Sequence, residues 1–247
     1  MIEKATRHGW RYRLRVIAPQ VLTGSRVVFG AAAVVTASDG RLYTAAALIT
    51  LGAVTDVLDG LVARRLGVAS AFGALFDTFT DYFCFVVAPW ALTRALVAAG
   101  GGLMQEALLG LPLLTGALRY ARNSLLIVAR DDEVRELPGL ATVFYAFLPV
   151  AVVFLDAPAL VGGPGLTASL TFLVVAFSLL MVTSVRYPKL SNFRGVSAPV
   201  LVLLIVMPFA GTRILAGVMF VAGLLYVGLA PLLARRRPER DEVSTTA

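Results

Sequence analysis

Four carboxylates, Asp56, Asp59, Asp77 and Asp81, stand within the otherwise apolar run from Thr55 to Phe83. A charged side chain at membrane depth costs about 2.5 to 3.5 kcal/mol at a helix centre on insertion scales, so it normally faces a cavity and marks function. Four together point to bound cations. Asp56 and Asp59 are three residues apart, and Gly73, Asp77 and Asp81 follow one another at intervals of four, so on two helices each set lines one face. Two such faces can meet across one site. Oxygen ligands of this kind suit hard cations such as Mg²⁺ or Mn²⁺, which bind few carboxylates and complete their shell with water and phosphate oxygens. The awaited ligand is therefore a phosphate. Gly60 and Gly73 leave room for a helix or a substrate to approach the backbone, and Arg64 adds a permanent cation nearby.

The elements that must carry these residues are hydrophobic. At 247 residues, 58% hydrophobic and 15% charged, the chain has too little polar residue to cover a soluble domain, and its mean hydropathy is +0.83. An all-α integral membrane protein is expected. Apolar segments run at about 18–37, 42–62, 71–99, 103–129, 140–155, 166–185, 196–210 and 214–233, most near the roughly 20 residues a helix needs to cross the hydrocarbon core. That predicts a bundle of eight helices, the seventh short enough to sit deep in the bundle or to thin the bilayer. Brief turns such as Ser38-Asp39-Gly40 and Gly100-Gly101-Gly102 leave no room for an inserted soluble domain. One catalytic domain over 18–234 is expected, preceded by a basic segment 1–17 and followed by a polar cytoplasmic tail 235–247. In the first segment Trp10, Leu14 and Ile17 share a helical side away from Arg7, Arg11 and Arg15, the pattern of a helix lying on an anionic membrane surface; an irregular basic arm is the alternative.

Charge decides orientation and partners. Arg7 to Arg15, Arg64-Arg65, Arg130 and Arg135, Arg186 to Arg194, and Arg235 to Arg240 alternate with loops carrying only Arg41, Arg94 and Arg213, which puts both termini and the aspartates on the cytoplasmic side of a plasma membrane, bacterial by expectation. A cleaved signal peptide is the alternative for the first span, but its length and the arginine alternation favour a retained helix. The net charge of +7 lies at span ends rather than in one soluble patch, so anionic lipid and anionic substrate are expected as partners and nucleic acid is not. Cys84 alone excludes an internal disulfide framework and fits a buried thiol; His8, the sole histidine, has no acidic partner in its arm and is left outside the site.

The spacing D-x2-D-G-x2-A-R-x8-G-x3-D-x3-D, met by Asp56, Asp59, Gly60, Ala63, Arg64, Gly73, Asp77 and Asp81, resembles the signature of the CDP-alcohol phosphatidyltransferases. The resemblance implies a bundle of at least six helices, often dimeric, in which aspartates hold two metal ions against the pyrophosphate of a CDP-linked lipid and an acceptor hydroxyl displaces CMP. Carried onto this chain, it makes Asp56, Asp59 and Asp77 metal ligands, and Asp81 a ligand of the second ion and the candidate base. Gly60, Ala63, Arg64 and Gly73 then line the nucleotide and its phosphates. Two rivals compete: structural ion pairs with Arg64 and Arg65, which leave carboxylates unpaired, and a cation-coupled transporter, for which no repeat halves are evident.

A narrower likeness bears on the acceptor. Arg119-Tyr120-Ala121-Arg122-Asn123 is similar to the R-L-A-R-F-N run of the phosphatidylserine synthases, Leu137-Pro138-Gly139-Leu140 loosely to their G-L-P segment, and Met181 to Pro188 to a later phrase. Val87-Ala88-Pro89, and Pro19-Gln20-Val21-Leu22-Thr23 with Arg26, resemble further parts of the same enzymes. Gln20 for the usual Asn, Thr78-Phe79-Thr80 for S-L-A, and the scrambled Gly-Leu-Pro order depart from the pattern. Serine is the first choice of acceptor, its carboxylate gripped by Arg119, Arg122 or Arg186. Inositol phosphate and glycerol phosphate also want arginine, whereas choline would want an aromatic cage, for which Tyr82, Phe83 and Tyr120 are available. Small residues including Gly217 and Gly223 permit a homodimer.

Overall fold

The computed structural model describes residues 2–66, 70–97, 100–128, 136–155 and 161–188, with residues 217, 221 and 227; for 2–19, 63, 64, 126–128, 136–138 and 186–188 the backbone alone is described. Helix α1 (Ile2–Ser38) runs unbroken through the basic segment, so the irregular arm gives way to a helical one. At 37 residues it is about 55 Å long, well beyond a hydrocarbon core of about 30 Å. Its described half is two-faced. Thr23, Arg26, Ala33 and Ala37 are buried, while Val21, Val28 and Val35, seven residues apart, are 60 to 66% exposed and form a lipid-facing stripe.

The turn at Asp39-Gly40, with Gly40 at φ +73, returns the chain into α2 (Leu42–Leu66), which packs along α1. Helix α3 (Ala71–Tyr82) begins where Ser70 Oγ accepts the Gly73 amide at 3.0 Å, a cap that fixes the face carrying Asp77 and Asp81. The same rod widens into one π-helical turn (Phe83–Val87) and continues as α4 (Ala88–Leu96). Pro89 offers no amide to the preceding turn and its ring would crowd the carbonyl four residues back, so the wider π turn accommodates it. Cys84, Phe85 and Val86 of that turn are buried. Gly52 of α2 lies so close that a side chain there would overlap Cys84 Sγ.

Helix α5 (Gly102–Val128) crosses back beside α3, and an ion pair between Arg94 and Glu106 joins α4 to α5 at the end away from the aspartates. Strand β1 (Glu136–Pro138) leads to α6 (Thr142–Phe154), and α7 (Pro164–Val182) leads to strand β2 (Arg186–Pro188). The strands pair antiparallel with Leu137 opposite Tyr187, a two-stranded departure from the all-helical expectation. The core between the helices includes Ile49, Leu92, Leu96, Tyr145, Val150, Leu170 and Met181. Hydroxyls of Thr36, Thr50, Thr93 and Ser178 bond back to carbonyls four residues earlier, keeping polar groups satisfied within each helix as an apolar medium demands.

Among the described residues, four helices are long and apolar enough to cross a membrane: 20–38, 42–62, 71–96 and 164–182. The chain is a multi-pass membrane protein. Helix α6, expected over 140–155, has 13 residues and a length of about 20 Å, too short to span alone. The seventh and eighth expected segments, and the polar tail, lie outside the described residues apart from helical positions 217, 221 and 227. At Gly217 an added Cβ would stand 3.8 Å from Leu155 Cδ2 of the same chain.

Candidate active site

The two aspartate pairs meet. Asp56 and Asp59 lie on α2 about two to three turns before Leu66, and Asp77 and Asp81 occupy the second and third turns of α3, so all four sit near the connection 67–70. One carboxylate oxygen from each of Asp56, Asp59 and Asp77 lies within 4.8 Å of the others. The cluster grades from open to closed: the side chains of Asp77 and Asp56 are 44% and 37% exposed, Asp81 20% and Asp59 7%.

A fifth residue joins them that the spacing did not single out as part of the site. Arg26 of α1 is fully buried, and its guanidinium reaches all four carboxylates. Nη1 donates to Asp56 Oδ1 at 2.8 Å and to Asp81; Nη2 donates to Asp59 Oδ2 at 2.6 Å and to Asp77. Each nitrogen thus joins one carboxylate of α2 to one of α3. Thr23, one turn earlier on α1, donates to Asp59 Oδ2 at 2.8 Å. The available signal was a lone arginine inside an apolar span, which by its cost alone marks a functional position. The expected structural pairing with Arg65 does not form part of this cluster; Arg65 is exposed, and the Arg64 side chain lies outside the described residues.

One guanidinium balances one carboxylate and leaves three formal negative charges in a low-dielectric setting, which is costly without further cations. Convergent hard oxygen donors with a cation already lying among them fit a divalent ion of the Mg²⁺ class. Asp56, Asp59 and Asp77 are the residues placed to hold one, with Asp81 adjoining.

Around this cluster the remaining expected residues distribute unequally. Gly73 sits in the first turn of α3, where an added Cβ would come 3.2 Å from the capping Ser70 Oγ; Gly60 follows Asp59 on α2 and is half-buried. Ala63 and Arg64 belong to α2 by backbone alone.

Tyr82, next to Asp81, stacks edge-on against Tyr120 of α5 at 6.1 Å and donates its hydroxyl to the Leu113 carbonyl at 2.9 Å. Beside Tyr120 stands Arg119, 6% exposed, its guanidinium carbon 5.6 Å from the Tyr120 ring centre. Tyr120 OH meets Thr142 Oγ1 at 2.6 Å, tying α5 to the start of α6. Arg119 Nε and Asn123 Oδ1 are buried without a hydrogen-bond partner among the described residues.

The three segments outside the aspartate pattern also converge. Gly139, at φ +84, donates its amide to Val185 O at 2.8 Å, and Leu140 donates to Leu180 O at 3.0 Å, which holds the end of β1 against the end of α7. A side chain at Gly139 would overlap the Met181 carbonyl, and its Cβ would stand 3.1 Å from Arg122 Nη2. Positions 119–123, 137–140 and 181–188 therefore form one corner, joined to the aspartate-bearing α3 through Tyr82 and Tyr120, though 50 residues separate Glu136 from Arg186. Arg186 lies in β2, opposite Pro138, with its side chain outside the described residues.

Residues 16–187 match the CDP-alcohol phosphatidyltransferase family, and the chain belongs to that family. It is an enzyme of phosphotransfer in phospholipid synthesis. The chain is 31% identical over 179 residues to the CDP-diacylglycerol–serine O-phosphatidyltransferase of Helicobacter pylori J99, covering 72% of this chain and 73% of the relative. It is 30% identical over 186 residues to the archaetidylserine synthase of Methanothermobacter thermautotrophicus, covering 74% of each chain. With the CDP-diacylglycerol–serine O-phosphatidyltransferase of Methanocaldococcus jannaschii it shares 32% identity over 151 residues, 61% of this chain and 67% of that one.

Proposed function

We propose that this enzyme transfers the phosphatidyl group of CDP-diacylglycerol to the hydroxyl of L-serine, releasing CMP, with divalent ions held by Asp56, Asp59, Asp77 and Asp81. The convergence of these carboxylates from α2 and α3 carries the reading. Bound Mg²⁺ or Mn²⁺, two ions by family resemblance, would neutralise the pyrophosphate and stabilise the departing phosphate of CMP. In the transfer, the serine oxygen bonds to the lipid-linked phosphorus while the bond from that phosphorus to the CMP oxygen breaks. The hydroxyl proton passes to the Asp81 carboxylate, which is less exposed than Asp56 or Asp77 and lies on the side of the cluster nearest α5 through Tyr82. Gly60, Ala63, Arg64 and Gly73 line the nucleotide in this scheme.

The arginine corner favours an acceptor with an anionic group, such as serine, over choline. Arg119 is buried with an unused Nε, a donor suited to a carboxylate, and Arg122 and Arg186 belong to the same corner. The relatives named above differ in their lipid, diacylglycerol or archaeal, but each name contains serine. Choline is disfavoured because the Arg119 guanidinium already lies by the Tyr120 ring, and Phe83 faces Gly30 of α1 rather than completing a cage. The site opens to the cytoplasm in this reading, in keeping with the arginine distribution.

The test is CMP release by detergent-purified protein given CDP-diacylglycerol and a panel of serine, inositol phosphate, glycerol phosphate and choline. Product with serine alone, dependent on Mg²⁺ or Mn²⁺, is expected. Product with another alcohol and none with serine refutes the acceptor, and absence of any metal-dependent CMP release refutes the chemistry.

A further inference from the structure

Arg26 presents a physical problem that the transfer reaction does not explain. It is fully buried, its two Nη groups bridge the aspartates of α2 to those of α3, and its Nε has no hydrogen-bond partner among the described residues. A guanidinium remains charged under all ordinary conditions, so it cannot vacate the cluster by losing a proton. It holds one oxygen of each carboxylate that a divalent ion would use as a ligand group: Asp56 Oδ1, Asp59 Oδ2, and one oxygen each of Asp77 and Asp81. A guanidinium and a divalent ion among the same four carboxylates repel one another and compete for their charge.

We propose that Arg26 is a built-in counter-cation of the aspartate cluster, holding α2 and α3 together in the metal-free protein and exchanged for divalent metal when the site is loaded. The proposal rests on the metal reading of the aspartates given above. Its chemistry follows from the fork: a planar group with two nitrogens can satisfy two pairs of acids at once, one pair on each nitrogen, which a lysine ammonium cannot reproduce in the same geometry. Without such a cation four carboxylates would face one another, and the two helices that carry them would be driven apart. Arg26 is thus a positioning residue whose contacts set how readily metal enters. Metal binding releases the guanidinium, which becomes available to the anionic substrate beside it.

The experiment measures Mn²⁺ binding without substrate, by electron paramagnetic resonance on detergent-purified protein, together with thermal unfolding in EDTA and in Mn²⁺. Wild type, Arg26→Gln, Arg26→Lys and Asp77→Asn are compared. Arg26→Gln is expected to bind Mn²⁺ about tenfold or more tightly than wild type, because a competing unit charge has gone. It should unfold at lower temperature in EDTA and recover in Mn²⁺. Arg26→Lys should fold even if Arg26→Gln does not, and should show the same EDTA sensitivity and recovery because a single ammonium cannot bridge both pairs. Unchanged or weaker Mn²⁺ affinity in Arg26→Gln, or equal destabilisation of either Arg26 variant with and without Mn²⁺, overturns the exchange and leaves Arg26 a fixed structural cation. Absence of Mn²⁺ binding in wild type and both Arg26 variants would instead overturn the metal reading itself, which Asp77→Asn controls by removing a ligand.

Discussion

At the scale of single residues, the roles proposed for the four aspartates separate by exposure. Asp77 and Asp56 are the most open, as the proposed metal and substrate binding requires, whereas Asp59 is nearly closed and anchored by Thr23 and Arg26. Asp81 lies between these extremes and adjoins Tyr82, which touches α5. Asp81→Asn keeps size and hydrogen-bonding capacity while removing the proposed base and a formal charge. It should lower CMP release by at least about a hundredfold, the smaller end of what general base catalysis supplies. Its unfolding temperature in EDTA should stay near that of wild type, because the carboxamide can still accept from Arg26. Near-normal turnover would remove Asp81 from the base role. The pairing of these acids was readable from the sequence because intervals of three and four residues fix a helix face without knowledge of the tertiary fold. Arg26 was not read as a site residue, since 30 residues separate it from Asp56 and no periodicity links α1 to α2.

The helices themselves were readable where hydropathy alone decides, as in α2 and α7, and less so where packing decides. The π turn at 83–87 breaks no apolar pattern, so only Pro89 hinted at an irregularity in the rod. The β1–β2 pairing was hidden more thoroughly, because three-residue strands with a proline at the end of each carry almost no local signal. The seat of the π turn yields a specific test. Gly52→Ala places a methyl where Cys84 Sγ already lies, yet the same Cβ would stand 3.8 Å from Cys84 Cβ. The clash is therefore with sulfur alone. Gly52→Ala should destabilise by about 1 to 3 kcal/mol through overpacking, and Cys84→Ala by a smaller loss from the vacated sulfur. The double variant should recover most of the first loss, since the new methyl occupies the space the sulfur leaves. Thermal unfolding of the four proteins checks this, and strictly additive losses would show that α2 does not approach the turn so closely.

Across the whole molecule, the proposed reaction divides its two halves between different parts of the bundle. Helices α1 to α3 bring the carboxylates together, while α5, the start of α6 and the β1–β2 pair build the arginine corner, and Tyr82 against Tyr120 is a direct contact between them. A lipid-linked donor arriving from the membrane and a small polar acceptor arriving from water can then be recognised by separate surfaces that share one reacting centre. This division predicts that damage in the corner is read by the acceptor more than by the donor. Gly139 is the sharpest place to probe it, because its φ of +84 is strained for any L side chain and an added Cβ would overlap the Met181 carbonyl. In Gly139→Ala the end of β1 must move away from α7, stretching the bonds to Val185 O and Leu180 O and displacing the neighbouring Arg122 guanidinium. A shift of about 1 Å in a positioning group can cost up to about a hundredfold in rate. The KM for serine should rise by about tenfold on that scale, with the KM for CDP-diacylglycerol and the Mn²⁺ requirement within about twofold of wild type. Initial rates with each substrate varied in turn measure the split, and an equal rise in both constants would show that the corner does not belong to the acceptor.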